Sequence, residues 1–276
     1  MFTKPTSGIF FIKNDASLEK TTRLCIATHH DDIELMAINA ILDCYNSENE
    51  NFTAVVSTDG GGSPRSGDYA LFSDDEMKLV RRKEQLNAAK LGKYYAQIFL
   101  DYTSSEVKNT ELAVDDYVKI IEETKPEILY THNPFDKHDT HVAVCLRVCE
   151  ALKRVKKECL PKKVYGCEVW RDLDWLPDER KTVWDVSERP ALQRKLIAVF
   201  ASQVAGGKRY DLAADGRRKA HATYYQSHGV DNASRLAYAI DMTDLLNGVS
   251  VEELIEREMK AFSFDVTDRF NRLTRR

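Results

Sequence analysis

Short apolar runs of strand length alternate with stretches of helical spacing, and this alternation limits the possible folds more than any other feature of the chain. Residues 24–27 are a buried-strand run, and 34–45 follow with Leu35, Ile38, Ile41 and Leu42 spaced along one helix face. Further strand-like runs lie at 52–56, 97–100, 127–130 and 163–169, with helical patterns at 114–123 and 140–156. Ser73 and Glu76, three residues apart, predict a capping box that opens a helix running to about residue 91, where Gly92 stops it. Residues 59–64, with three glycines and a proline, predict a loop. Strand–helix–strand repeated this often implies right-handed crossovers. The expected fold is therefore Rossmann-like α/β: a mostly parallel sheet with helices on both faces. Beyond Trp170 the pattern loosens into helices at 190–203, 212–226 and 251–261 and a last strand at 236–240. The expectation is one domain over 1–276, with a core at about 20–170 and a C-terminal elaboration at about 171–276.

Composition narrows the classes. A hydrophobic fraction of 43% over 276 residues supports a sizeable core. Lys plus Arg is 40 against 44 Asp plus Glu, so nothing suggests the excess cation that a nucleic-acid or anionic-membrane surface needs. No apolar run approaches the ~18 residues of a membrane span. The opening residues do not read as a secretory signal. The six cysteines form no C-x-x-C pair, which suits a reduced, cytoplasmic protein.

In sheets of this kind ligands sit beyond the carboxyl ends of the strands. His29-His30-Asp31-Asp32 follows the first core strand, the Gly60–Arg65 loop the second, Asp101-Tyr102 the third, and His132 through His141 the fourth. Five of the seven histidines (His29, His30, His132, His138 and His141) thus fall in two of these loops. A single His-Asp pair before a helix is usually a cap. Two such clusters at one end of one sheet point instead to a metal site, since imidazole with carboxylate is the ligand set of hydrolytic zinc.

These residues also carry a resemblance. His29-His30-Asp31-Asp32-Ile33-Glu34 is similar to the H-x-D-D-x-E signature of the LmbE-like, or PIG-L, deacetylase family, and Phe135-Asp136-Lys137-His138-Asp139-Thr140-His141 resembles its second, H-x-x-H, signature. Between them Arg81, Glu84, Ala88 and Leu91-Gly92 match the family's R-x-x-E helix. Lys195, Ala198, Ser202 and Gln203 resemble a later K-x-x-A…S-Q segment at shortened spacing. The resemblance implies a zinc-dependent amidase that removes acetyl from N-acetylglucosamine units, with one zinc per chain. It implies His29, Asp32 and His141 as metal ligands, Asp31 as general base and His138 as the residue polarising the amide oxygen. Either Asp31 or His138 would return the proton to the leaving amine. The chain departs from the family at His30, where Pro or Ala is common, and at Asp139, one place from the family's usual acid. His30 is expected to be a bulky neighbour rather than a fourth ligand.

Other candidates are weaker. Arg65 and Asp101 are candidate substrate contacts. So is Arg81, whose alternative is an ion pair with Glu84 on one helix face. Trp170, Trp175 and Trp184 are a sugar platform or the core of the second half. The expected partner is a small amino-sugar substrate, with a homo-oligomer left open. Rival activities are an amidase on another sugar conjugate, a metal-dependent phosphoesterase, and a sugar-binding module without turnover.

Overall fold

The computed structural model describes residues 2–13, 17–205 and 207–274. In chain order its elements are β1 (Gly8–Phe11), β2 (Arg23–Ala27), α1 (Asp32–Met36), α2 (Ile38–Cys44), β3 (Phe52–Thr58), α3 (Asp74–Leu91), β4 (Ala96–Tyr102), α4 (Ser104–Asn109), α5 (Leu112–Thr124), β5 (Ile128–His132), α6 (Asp139–Arg154), β6 (Lys163–Cys167), β7 (Thr182–Asp185), α7 (Pro190–Ala198), α8 (Ala201–Ala205), α9 (Tyr210–Tyr224), β8 (Leu236–Asp241) and α10 (Val251–Thr274). The eight strands form one sheet in the order β1-β4-β3-β2-β5-β6-β8-β7. The five from β4 to β6 run parallel, and β1, β8 and β7 add antiparallel pairings at the two ends. The mostly parallel α/β sheet expected from the sequence is the one found.

Alternate residues of each strand feed opposite cores, as a two-residue period requires. In β2, Leu24 and Ile26 pack with α4, α5 and α6, whereas Cys25 and Ala27 pack with α1, α2 and α7. All six cysteines are buried free thiols. Among the described residues no helix is long and apolar enough to cross a membrane.

Two expected helices are broken. The one at 34–45 divides at Ala37 (φ −115°, ψ 31°) into α1 and α2. The buried Arg218 of α9 takes up the freed carbonyls, donating from Nη2 to Glu34 O at 2.7 Å and Leu35 O at 3.3 Å. Similarly, 190–203 divides into α7 and α8 around the buried Phe200, and Ser202 N–H at the start of α8 donates to the Glu84 carboxylate at 2.7 Å. The capping box at Ser73 forms as expected. Gly92 follows α3 with φ −78°, so it is needed for space rather than for a left-handed turn: a Cβ there would lie 2.5 Å from the Tyr94 ring. The edge strands β1 and β7, four residues each, carried no clear periodicity.

Candidate metal centre and cavity

Just beyond β2 the chain makes a tight turn in which Asp31 has φ +89°. A non-glycine residue held there costs ~1–3 kcal/mol and persists only when its surroundings fix it. One face of α3 supplies that restraint. Gln85 Oε1 accepts the Asp31 N–H at 3.1 Å, and Arg81 Nη2 donates to Asp31 Oδ2 at 2.9 Å and also to the His30 carbonyl. Arg81, 2% exposed, further pairs with Glu84 at 3.1 Å. Its guanidinium is therefore committed to the Asp31 turn. Glu84 in turn accepts the Ser202 N–H and hydroxyl at 2.7 and 2.8 Å. Gly60 completes the fit: its φ is +79°, and a Cβ would lie 3.0 Å from Arg81 Cβ and 3.1 Å from the His30 ring.

The turn sends the two adjacent carboxylates in different directions. Asp31 faces Arg81, while Asp32 Oδ2 faces two imidazoles. His29 Nδ1 lies 3.2 Å from Asp32 Oδ2, His141 Nε2 lies 3.3 Å from the same oxygen, and the two nitrogens are 3.0 Å apart. Tetrahedral ligand atoms held ~2.0–2.1 Å from a zinc-sized ion are themselves separated by about 3.3 Å. The triangle of two nitrogens and one carboxylate oxygen therefore fits a divalent cation. Its charge fits as well. Burial disfavours a charged His141, but Asp32 and Asp136 outweigh it and push the imidazole up to about 9, so the cluster favours positive charge. Burial would likewise raise Asp32, but His141 and His29 hold it well below the usual carboxylate range. At Asp31 burial prevails over the pull of Arg81, and the carboxyl is pushed up to about 6.

The other histidines take distinct places. His132 Nε2 accepts the Thr28 N–H at 3.0 Å, and its ring stacks behind His141 at 4.1 Å. That nitrogen is thus engaged, and burial keeps the ring well below its ordinary pKa. His30 stacks on Phe99 at 5.6 Å and is absent from the groups of potential ligand atoms among the described residues. His138 caps α6: its Nδ1 accepts the Thr140 N–H at 3.3 Å, leaving Nε2 as the donor of the neutral ring. Burial and the neighbouring His141 and His29 lower its pKa, and the ring stacks on His141 at 4.5 Å.

From the sequence Asp136 had no assigned role. Its Oδ2 lies 3.3 Å from His141 Nδ1 and accepts the Trp170 N–H at 3.1 Å, while Oδ1 accepts the His138 N–H at 3.0 Å. A carboxylate behind a ligating imidazole fixes its tautomer and orientation. Asp139, the acid inside the second signature, is exposed at the start of α6. The spacing of Asp136, five residues before His141, was the available signal.

These groups open into a cavity of about 490 Å³. His29, Asp31, Asp32, Arg81 and His138 line it, with Asp59, Gly60, Gly62, Ser63 and Pro64 on one side and Trp170, Gln203, Lys208 and Tyr210 on another. Lys208 Nζ sits 4.9 Å from the centre of a Trp170 ring. The structure does not bring Arg65 or Asp101 to the cavity wall. Arg65 bonds the Gly61 carbonyl and Asp74, and Asp101 bonds Arg82 at 2.7 Å.

Behind the turn, Glu34 Oε1 accepts from Tyr94 Oη at 2.6 Å and from Gln85 Nε2 at 2.8 Å, while Oε2 has no partner. Burial pushes this carboxyl from 4.5 up to about 8. The folded chain then retains a proton that the unfolded chain releases, so stability falls as pH rises between those two values. Glu34→Gln is expected to remove this dependence. Its melting temperature should gain on the parent protein from pH 5 to pH 9 in calorimetric scans, and parallel curves would contradict a buried neutral acid.

The fold is that of an α/β protein with a candidate metal centre beyond the ends of its parallel strands. Residues 24–152 match the family described as GlcNAc-PI de-N-acetylase (PIG-L). No curated protein sequence matches it. Among solved structures it is similar to the N,N'-diacetylchitobiose deacetylase of Pyrococcus horikoshii, at 17% identity and a TM-score of 0.65, covering 87% of this chain and 91% of that one. It is similar to the 4-carboxy-2-hydroxymuconate hydratase of Pseudomonas putida, at 16% identity and a TM-score of 0.64, covering 80% and 96%. A deacetylase of the teicoplanin biosynthesis pathway matches at 17% identity and a TM-score of 0.55, covering 81% and 100%. At such identities the likeness establishes the fold, and a hydratase among the neighbours means that function must be argued from the site.

Proposed function

We propose that the protein is a zinc-dependent hydrolase that removes the acetyl group from an N-acetylglucosamine-type amino-sugar conjugate. The observation that carries this is the triangle of His29, Asp32 and His141 at 3.0–3.3 Å, with Asp31 and His138 facing the same cavity. A zinc ion held by those three residues would supply Lewis acidity toward a water molecule and an amide oxygen. Asp31, raised toward neutrality by burial yet restrained by Arg81, takes the proton of the attacking water. His138 Nε2 donates a hydrogen bond to the oxygen on which charge develops, an interaction worth ~3–4 kcal/mol. Asp31 or His138 then returns a proton to the departing amine. Trp170, with Lys208 over its ring and Tyr210 beside it at 6.2 Å, offers an amphipathic wall for a sugar. The buried free thiols suit a reduced, cytoplasmic setting.

Among the described residues the two groups of potential ligands, His29 with His138 and His141 and Asp32 with His132 and His141, share His141, as expected of a single centre. That supports amide hydrolysis over two-metal phosphate chemistry, which needs paired ions. The test is acetate release from a panel of N-acetylglucosamine conjugates by metal-loaded protein, with phosphate release as control. Acetate from at least one conjugate and about one metal per chain are expected. Phosphate release with two metals per chain, or no acetate from any conjugate, would overturn the reading.

A further inference from the structure

A second cavity, of about 200 Å³, also reaches the two adjacent carboxylates. Asp31, Asp32, Trp170 and Tyr210 belong to its wall and to that of the larger cavity, so the two spaces adjoin there. The rest of its wall is mostly apolar. Leu35 of α1 and Val169 lie on it, and α9 adds Ala213, Ala214 and Arg217. Together with Tyr210 these fall at i, i+3, i+4 and i+7, one face of the helix, and the two alanines in the middle leave the room. Arg217 is committed to the wall: its guanidinium donates to the Val169 carbonyl and, at 3.4 Å, to the Trp170 carbonyl. Arg218 bonds the carbonyls of Glu34 and Leu35, which holds α9 against α1. The space is therefore preformed.

The shape of an amide says what such a space could hold. The carbonyl carbon carries oxygen, nitrogen and the acyl carbon in one plane, pointing three ways. Oxygen faces the ligand triangle and His138, and nitrogen carries the sugar, which needs the larger and more polar cavity. A carbonyl carbon beside Asp31 and Asp32 then directs its acyl group to the other space that borders them. Acetyl would place a single methyl there, comparable to the ~30 Å³ of a water molecule, whereas an apolar cavity of ~150 Å³ holds benzene.

Resting on the amide-hydrolase reading above, we infer that this second cavity takes the acyl part of the substrate, and that chains of about four to six carbons fit it better than acetyl. The reaction is unchanged. Water gives its oxygen to the carbonyl carbon, the C–N bond breaks, and a carboxylate and a protonated amine leave.

Phenyl glucosaminides carrying N-acetyl, N-butanoyl or N-hexanoyl test this, with release of free amine by the metal-loaded full chain as the common readout. From acetyl to butanoyl, kcat/KM should rise by at least about 10-fold, and hexanoyl should keep the gain. Ala214→Phe places a ring in the space and should cut the hexanoyl-to-acetyl ratio by at least about 10-fold; Ala214→Leu, a milder filling, should cut it less. Hexanoate should raise the melting temperature of the parent protein more than acetate does at equal concentration, a readout that needs neither variant nor turnover. Acetyl cleaved as fast as both longer chains would overturn this inference and leave the hydrolase reading standing. So would equal melting shifts from the two acids, or a hexanoyl preference that survives Ala214→Phe. No amine from any of the three would overturn the hydrolase reading itself, and this inference with it.

Discussion

Asp31→Asn is expected to lower kcat by about 10²–10⁴-fold, the usual contribution of a positioned general base, while leaving the bound metal unchanged. The two halves of this expectation rest on different contacts. Asparagine keeps the shape of the side chain but cannot accept a proton, so the water loses its base. The Asp31 carboxylate points to Arg81 at 2.9 Å rather than into the ligand triangle, so metal stoichiometry should not move. Arg81 would still have Glu84 at 3.1 Å and the His30 carbonyl as partners, which preserves the turn. Turnover, metal content and melting temperature measured on one preparation check all three points. Near-full activity in the variant would remove Asp31 from the mechanism.

Asp32→Ala should produce the opposite pattern, a protein that no longer holds metal and is inactive for that reason. Asp32 Oδ2 is the one oxygen shared by both imidazoles, at 3.2 and 3.3 Å, and it also accepts the His29 N–H at 2.7 Å. Its loss removes the only carboxylate from the triangle and leaves two nitrogens 3.0 Å apart with no anionic ligand atom beside them. Metal content should fall from about one per chain to near zero, and added zinc should no longer raise the melting temperature. Asp136→Asn provides the graded comparison. It weakens the support of His141 without removing a ligand, so affinity should drop by about 10–100-fold while the site still fills at high metal. Stoichiometric metal in Asp32→Ala would mean that the triangle is not the centre.

The sheet was legible because parallel strands buried on both faces appear as apolar runs, and the His and Asp clusters that meet in space because they sit at two strand ends. What stayed hidden depends on contacts far apart in sequence. The breaks at Ala37 and before Ala201 carry no glycine or proline, and the groups engaged there, Arg218 and Glu84, lie far away in the chain. Asp136 lies two residues before the H-x-x-H pair whose second histidine it supports, and its type and place alone gave it no role. Asp101 sits at a strand end like the residues that line the cavity, yet is taken by Arg82 from α3, which no local pattern announces. Lys208 and Tyr210 reach the cavity through a segment with no motif of its own. The length of α10 was underestimated because its outer half has no core to mark it.

The path from Asp31 through Arg81 and Glu84 to Ser202 ties the proposed proton acceptor to the neighbour of Gln203, which lines the cavity. Recognition and turnover thus share one rigid support, and this part of the wall is not free to diversify alone. Exchanging residues 200–210 for those of a chain with another preference should alter the speed of the reaction along with the choice of substrate.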